Sequence, residues 1–312
     1  MSHIVVIGAG QAGSSLVAKL RKDGFDGEIT LIGAEKALPY QRPPLSKAYL
    51  LGEMELERLF LRPASFYEDN NITLRLGARV SGIDPEAKTV SIGDEVISYD
   101  QLALTTGSDP RRLPAAIGGD LEGVYVVRGL TDVDAMAPNV AEGKRALIVG
   151  GGYIGLEAAA VCAKRGVQVT LVEMADRILQ RVAAPETSDY FRKLHQDHGV
   201  EIREGTGLER LEGEGGKVAR AVLGNGETLE VDFVVVGVGI TPGSQLAELA
   251  GLELDNGIKT DTQGRTSDPS IWAAGDCASF PYKGGRIRLE SVPNAIDQAE
   301  VVAQNMLGAG KD

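Results

Sequence analysis

The feature that most constrains this chain is a pattern that occurs twice: a short aliphatic run, a glycine turn, an amphipathic helix and a second aliphatic run. Near the amino end, Ile4-Val5-Val6-Ile7 leads straight into Gly8-Ala9-Gly10-Gln11-Ala12-Gly13. Leu16, Val17 and Leu20 then recur at helical spacing up to Lys22, Gly24 can stop the helix, and Ile29-Thr30-Leu31-Ile32 follows. Runs of this kind read as central strands of a parallel sheet, so the segment is a β-α-β unit. At mid-chain the arrangement returns as Ala146-Leu147-Ile148-Val149, Gly150-Gly151-Gly152-Tyr153-Ile154-Gly155, an alanine-rich helix ending near Gly166, and Val167 to Val172. The repeats lie too far apart to be two halves of one mononucleotide-binding pair, so two nucleotide-binding domains are expected.

A G-x-G-x-x-G turn between strand and helix suits a dinucleotide for three separate reasons. Gly8 permits the tight turn, Gly10 lets the backbone approach a pyrophosphate, and Gly13 permits close helix packing, while the helix N-terminus offers N–H donors to phosphate. Gly150, Gly152 and Gly155 repeat those roles, with Tyr153 and Ile154 inside the second turn. Glycine turns also arise for backbone reasons alone, but the strand and helix context is present both times. An acidic residue for a ribose diol is expected about 20 residues beyond each turn. Glu35 and Glu173 stand there. Glu173 would repel the 2′-phosphate of NADP, and no arginine replaces it, so NADH is expected over NADPH. The bland alternative is an ordinary solvated glutamate at a strand end.

Each unit also carries alternating, hairpin-like segments. Thr89 to Ile97 turns at Gly93-Asp94 ahead of Gln101-Leu102-Ala103-Leu104. Val218 to Leu223, Gly224-Asn225-Gly226 and Thr228 to Val231 precede Phe233-Val234-Val235-Val236. The expected class is therefore α/β, with two Rossmann-like domains that each bear an antiparallel β excursion. A length of 312 residues suits two cores. The net charge of -12 argues against nucleic acid as a partner. Cys162 and Cys277 lie far apart and in no C-x-x-C, which excludes a disulfide framework or dithiol relay and suggests a reducing, cytoplasmic setting. No charged leader and no bilayer-length apolar run occur, so neither export nor membrane insertion is expected. His3, His195 and His198 read as surface residues, and no metal site is expected.

Three further segments carry a family likeness: Leu38-Pro39-Tyr40-Gln41-Arg42-Pro43-Pro44-Leu45-Ser46-Lys47; Thr266-Ser267-Asp268-Pro269 leading to Ala274-Gly275-Asp276-Cys277; and Glu290-Ser291-Val292-Pro293-Asn294-Ala295. With the two glycine turns they make the whole chain resemble the pyridine-nucleotide flavin oxidoreductases of glutathione reductase-like fold that reduce small iron–sulfur ferredoxins. The likeness is to the putidaredoxin reductase branch. It implies FAD and NAD(H) as cofactors, with Ala12, Glu35, Arg42, Lys47, Val80, Arg128, Asp276 and Val292 contacting FAD and Asp276 accepting hydrogen bonds from the ribityl chain. Lys47 would stand near flavin N5 and pair with Glu157 on the helix of the second unit, the two forming the catalytic pair. The helix beginning near Pro293 would direct its positive end at the flavin N1–C2 carbonyl. Thr105-Thr106-Gly107 and Gly237-Val238-Gly239-Ile240-Thr241-Pro242 resemble the family's crossover segments. They imply an NAD domain at 111–240 inserted in an FAD domain made of 1–110 and 241–312.

The family continues beyond the point where this chain stops, at Gly310-Lys311-Asp312, so a C-terminal interface domain is expected to be absent. The implied activity is hydride transfer from NADH to flavin, then delivery of single electrons to a [2Fe–2S] ferredoxin serving a cytochrome P450 or Rieske oxygenase. Such chemistry needs alignment and water exclusion rather than a catalytic histidine. Two alternatives remain open. One is an NADH oxidase-like enzyme; the other is a flavin-binding signalling protein resembling apoptosis-inducing factor.

Overall fold

The computed structural model describes residues 2–312. The chain forms two compact units: unit 1 is Met1–Gln41, Phe60–Asp109 and Pro242–Asp312; unit 2 is Arg42–Leu59 and Pro110–Thr241. Both repeats are β-α-β units. The first consists of β1 (His3–Ile7), α1 (Gln11–Lys22) and β2 (Glu28–Gly33). The second consists of β3 (Arg145–Val149), α2 (Tyr153–Lys164) and β4 (Gln168–Val172). Strands β1 and β3 are buried along nearly their whole length, which is why they read as unbroken aliphatic runs rather than alternating ones.

In unit 1 the sheet runs in the order Ile271–Ala273, Gln101–Leu104, β1, β2, Ile72–Leu76, with every neighbour parallel. In unit 2 the order is Glu201–Arg203, β4, β3, Phe233–Val236, Val124–Tyr125, again all parallel. The strand that carries the glycine turn is central in both. Its successor lies on one side and a later strand on the other, which makes the carboxyl end of that strand a switch point where ligands bind in open α/β sheets.

One face of the unit 1 sheet is covered by α1 and the helix Val292–Met306, with Leu16, Leu20, Ala299 and Val302 fully buried between them. Each buried leucine contributes about 2 kcal/mol. The other face is covered from the antiparallel ribbon Gly82–Asp84, Thr89–Ile92 and Glu95–Ser98, which supplies Ile83 and Val90. Unit 2 repeats this with the meander Leu208–Glu214, Lys217–Leu223 and Thr228–Glu230, whose Leu211, Val218, Ala221 and Leu223 pack on Leu147, Val149 and Val234.

The structure corrects the reading of the histidines. His195 is buried: its ring nitrogens lie 2.8 Å from the Phe191 carbonyl and 3.0 Å from the Leu156 carbonyl, so it fastens the helix Pro185–Asp197 to α2. His3 is part-buried, with Nε2 2.9 Å from Thr30 Oγ1, and only His198 is exposed. A ring N–H that has a main-chain carbonyl in reach can be buried while hydrogen-bonded, and spacing does not reveal that acceptor. Arg42–Leu59 packs with unit 2, because Leu45 and Ser46 are buried there against α2. Among the described residues no helix is long and apolar enough to cross a membrane.

Candidate functional site: two glycine turns and their carboxylates

The two glycine turns agree residue by residue. Gly8 has φ +114° and Gly150 has φ +107°, a region that side chains avoid. A Cβ on Gly8 would lie 2.1 Å from the Thr105 carbonyl oxygen, and one on Gly150 would lie 2.4 Å from that of Gly237. Gly13 and Gly155 let the helix close on the turn, since a Cβ on either would lie 2.0 Å from the carbonyl oxygen of Gly8 or Gly150. Gly10 and Gly152 behave differently: an added Cβ would meet nothing within 4 Å. That open space lies at the N-cap of α1 and of α2, where no side chain caps the helix and no acidic residue occupies the first turn. Each turn therefore combines uncapped N–H donors, a positive helix end and room for a pyrophosphate.

Both acidic residues stand beyond their turns, held by different devices. In unit 1 the Tyr40 hydroxyl donates to Glu35 Oε2 at 2.5 Å. In unit 2 the main-chain N–H of Gly151 donates to Glu173 Oε2 at 2.7 Å, and that of Ala175 to Oε1 at 2.8 Å. Tyr153 and Ile154 are exposed at the start of α2.

The other expected residues distribute between the units. In unit 1, Ser108 Oγ donates to Asp276 Oδ2 at 3.0 Å, and Arg288 Nη1 donates to the Asp276 carbonyl at 3.0 Å. Gly275, at φ +83°, brings that turn against Ala12, since a Cβ on it would lie 3.1 Å from Ala12 Cβ. Val292 opens the helix Val292–Met306, whose N-cap Ser291 accepts from the Asn294 N–H at 3.3 Å. Ala12 and Val80 are core residues. Thr106 Oγ1 donates to the Gly243 carbonyl at 2.5 Å, and the Gly107 carbonyl accepts from the Gly243 N–H at 2.8 Å. In unit 2, Lys47 Nζ and Ser46 Oγ converge on Glu157 Oε2 at 2.5 and 2.6 Å. Arg42 Nη1 donates to the Arg128 carbonyl at 2.6 Å, and the Gly239 carbonyl accepts from the Arg111 N–H at 2.9 Å.

The residues that sequence reasoning passed over are the ones that hold the predicted ones. Tyr40, Ser46 and Ser108 orient carboxylates, and Thr105 Oγ1 donates to the Gly8 carbonyl at 2.8 Å. Tyr40, Ser46 and Thr105 sit inside segments already singled out and Ser108 directly follows one, but nothing in their spacing says what their hydroxyls reach. Both cysteines are buried and unpaired. Burial pushes the Cys162 thiol up to about 12 and raises that of Cys277 as well. Among the described residues no cluster of side chains could hold a metal ion.

Residues 2–299 match the family model of pyridine nucleotide-disulphide oxidoreductases. The chain belongs to that family. It is 44% identical over 308 residues to rhodocoxin reductase of Rhodococcus erythropolis, covering 98% of this chain and 72% of that protein. It is also 44% identical over 310 residues to a ferredoxin–NAD(P)(+) reductase of a Sphingomonas species, covering 98% of this chain and 75% of that protein. Its structure superposes with a TM-score of 0.95 on the reductase in a crystal structure of the covalent putidaredoxin reductase–putidaredoxin complex, at 39% identity, covering 99% of this chain and 76% of the other. The fold is thus the α/β fold of these reductases, and the chain is an oxidoreductase whose cofactors are FAD and NAD(P)H. Its residues fit those groups: each unit offers an open glycine cradle on an uncapped helix and an oriented carboxylate for a ribose.

Proposed function

We propose that this protein is an NADH-dependent reductase that passes electrons through FAD to a [2Fe–2S] ferredoxin, which in turn serves a cytochrome P450 or Rieske oxygenase. The observation that carries the reading is the presence of two complete dinucleotide cradles in a chain whose relatives include a ferredoxin–NAD(P)(+) reductase. FAD belongs on unit 1, whose glycine turn is accompanied by Asp276 and by the uncapped-by-acid start of the helix Val292–Met306. NADH belongs on unit 2, where Glu173 presents a carboxylate in place of a 2′-phosphate site. The two glycine-turn domains thus correspond to the FAD and NAD domains, with Arg42–Leu59 grouped with the latter.

Bound FAD supplies the chemistry, taking a two-electron hydride equivalent from NADH and giving electrons up singly. The chain's own residues bind and orient. Gly8, Gly10 and Gly13 shape the FAD pyrophosphate cradle, and Gly150, Gly152 and Gly155 that of NADH, with Tyr153 and Ile154 at its mouth. Asp276 accepts from the ribityl chain, fixed by Ser108, while Ala12, Glu35, Val80 and Val292 complete the unit 1 set. Lys47 is the cation that would stabilise charge developing on reduction, and Glu157 holds its ammonium at 2.5 Å. Arg42 and Arg128 are the remaining expected FAD contacts, while Thr106, Gly107 and Gly239 lie in the crossover segments. The two free, buried cysteines support a reducing, cytoplasmic setting.

The test is to follow the flavin absorbance in a stopped-flow instrument under anaerobic conditions after adding NADH or NADPH, then to add a [2Fe–2S] ferredoxin. Rapid bleaching by NADH, slower bleaching by NADPH and electron delivery to the ferredoxin are expected. Bound FAD that neither nucleotide reduces would overturn the reading.

A further inference from the structure

We propose that Glu204 is a positioning residue for the pyrophosphate of NADH: it holds Ile178 and Leu179 against the glycine turn of unit 2, so that coenzyme affinity depends on a carboxylate outside the cradle itself. The inference rests on the assignment of NADH to unit 2.

Gly151 stands between Gly150 and Gly152, and both of its main-chain polar groups are taken. Its N–H donates to Glu173 Oε2 at 2.7 Å, and its carbonyl accepts from the Leu179 N–H at 2.9 Å. With both groups engaged, the carbonyl oxygen is kept from turning toward a phosphate, which it would repel. The side chain of Ile178 closes the same spot, since a Cβ on Gly151 would lie 2.6 Å from Ile178 Cγ2. In unit 1 the middle residue of the turn is Ala9, which brings its own methyl group and packs on Gly33, where an added Cβ would lie 2.6 Å from it. Unit 2 has no such methyl at Gly151, and Ile178 takes its place. Ile178 is fully buried and Leu179 is 4% exposed, so the pair is a wedge packed on the turn.

The wedge does not hold itself in place. Leu179 has φ +54°, a left-handed conformation that residues with side chains rarely adopt and that persists only where the surroundings impose it. Both main-chain groups of Ile178 are held by side chains: its N–H donates to Glu204 Oε1 at 2.8 Å, and its carbonyl accepts from the buried Ser188 Oγ at 2.7 Å. Glu204 is itself gripped by a fork, with Arg192 Nε 2.9 Å from Oε2 and Nη2 3.0 Å from Oε1, while Arg192 Nη1 donates to Asp189 Oδ1 at 2.6 Å. A bidentate arginine fixes the plane of the carboxylate as well as its position. The support therefore runs from the helix Pro185–Asp197 through Arg192 and Glu204 to Ile178, Leu179 and Gly151.

The experiment uses the full chain with FAD bound, titrated in a calorimeter with ADP-ribose, which carries the adenosine and pyrophosphate of NADH without the reactive nicotinamide. Glu204→Ala should bind ADP-ribose about tenfold more weakly, the loss expected on removing a hydrogen bond to a charged group. Glu204→Gln keeps an oxygen for the Ile178 N–H and should bind within about twofold of the unaltered chain. Arg192→Met leaves Glu204 but removes its fork; it should bind about threefold more weakly and stands in for Glu204→Ala if that variant does not fold. In stopped-flow reduction by NADH, Glu204→Ala should raise the half-saturating concentration about tenfold and leave the limiting rate of flavin reduction unchanged. A lowered melting temperature with ADP-ribose affinity preserved in Glu204→Ala and Arg192→Met would overturn the proposal, because that is what a purely structural ion pair does. Equal weakening by Glu204→Gln and Glu204→Ala would overturn it too, since the effect would then follow the charge and not the bond to Ile178. An unaltered chain that takes up no ADP-ribose would overturn the NADH assignment and this inference with it, whereas ADP-ribose bound equally by all the chains overturns this inference alone.

Discussion

Glu173 is the carboxylate on which the proposed preference for NADH rests. Both of its oxygens accept main-chain N–H bonds, so its charge is fixed at the end of β4. Glu173→Ala should therefore relax the preference. NADH should bind about tenfold more weakly through loss of the ribose acceptor, and NADPH about tenfold more tightly through loss of charge repulsion. Flavin reduction rates measured against the concentration of each coenzyme check this; an unchanged NADH to NADPH ratio would show that Glu173 does not face the ribose. The position of Glu173 was legible from its distance beyond the glycine turn. Its two N–H donors were not, because they come from the turn itself and from the residue two places on, and only folding brings them onto the carboxylate.

The glycine turn and its helix act together, and the three glycines of each turn are not equivalent. A Cβ on Gly155 would lie 2.0 Å from the Gly150 carbonyl oxygen, so Gly155→Ala must push α2 off the turn. A loss of roughly 2 kcal/mol in stability is expected, together with weakened NADH binding. Gly152→Ala meets open space instead. That variant should melt within a degree or two of the unaltered chain yet bind NADH at least tenfold more weakly, because its methyl group occupies the pyrophosphate position. Thermal melting and coenzyme titration of the two variants separate the roles, and equal melting temperatures would show that helix packing does not need Gly155. The strands and helices around these turns were readable because aliphatic runs and helical periodicity are local signals. The helical turn Leu45–Tyr49 was not: it carries two prolines on its amino side and no helical periodicity, and it is held by the Ser46 and Lys47 bonds to Glu157, 111 and 110 positions away.

At the scale of the whole molecule, two units whose four strands around the glycine turn run in the same order, with an edge strand that follows those four in unit 1 and precedes them in unit 2, arise from one chain that passes from unit 1 into unit 2 and back twice. Their cores are closed to reagents. Cys162 and Cys277 are fully buried, and burial raises both thiols, Cys162 to about 12. A raised value keeps a thiol neutral below it, so neither is a nucleophile at pH 8. An aromatic disulfide reagent should accordingly titrate no thiol in the native chain at pH 8 and two after denaturation. Rapid reaction of the native chain would reopen a thiol-based mechanism, which the separation of the two cysteines otherwise closes.

The sequence by itself determined the class of fold, the two β-α-β units and the glycines that form their turns. Each of these is written in local order, as aliphatic runs, helical spacing and glycines whose neighbours lie within a few positions. Only the tertiary structure decided that His195 is buried between helices and that Arg42–Leu59 packs with unit 2. It also decided that Tyr40, Ser46 and Ser108 hold the carboxylates of Glu35, Glu157 and Asp276. A hydroxyl's partner is set by where the chain returns in space, and for Ser108 and Asp276 that return spans 168 positions, a separation over which spacing carries no signal.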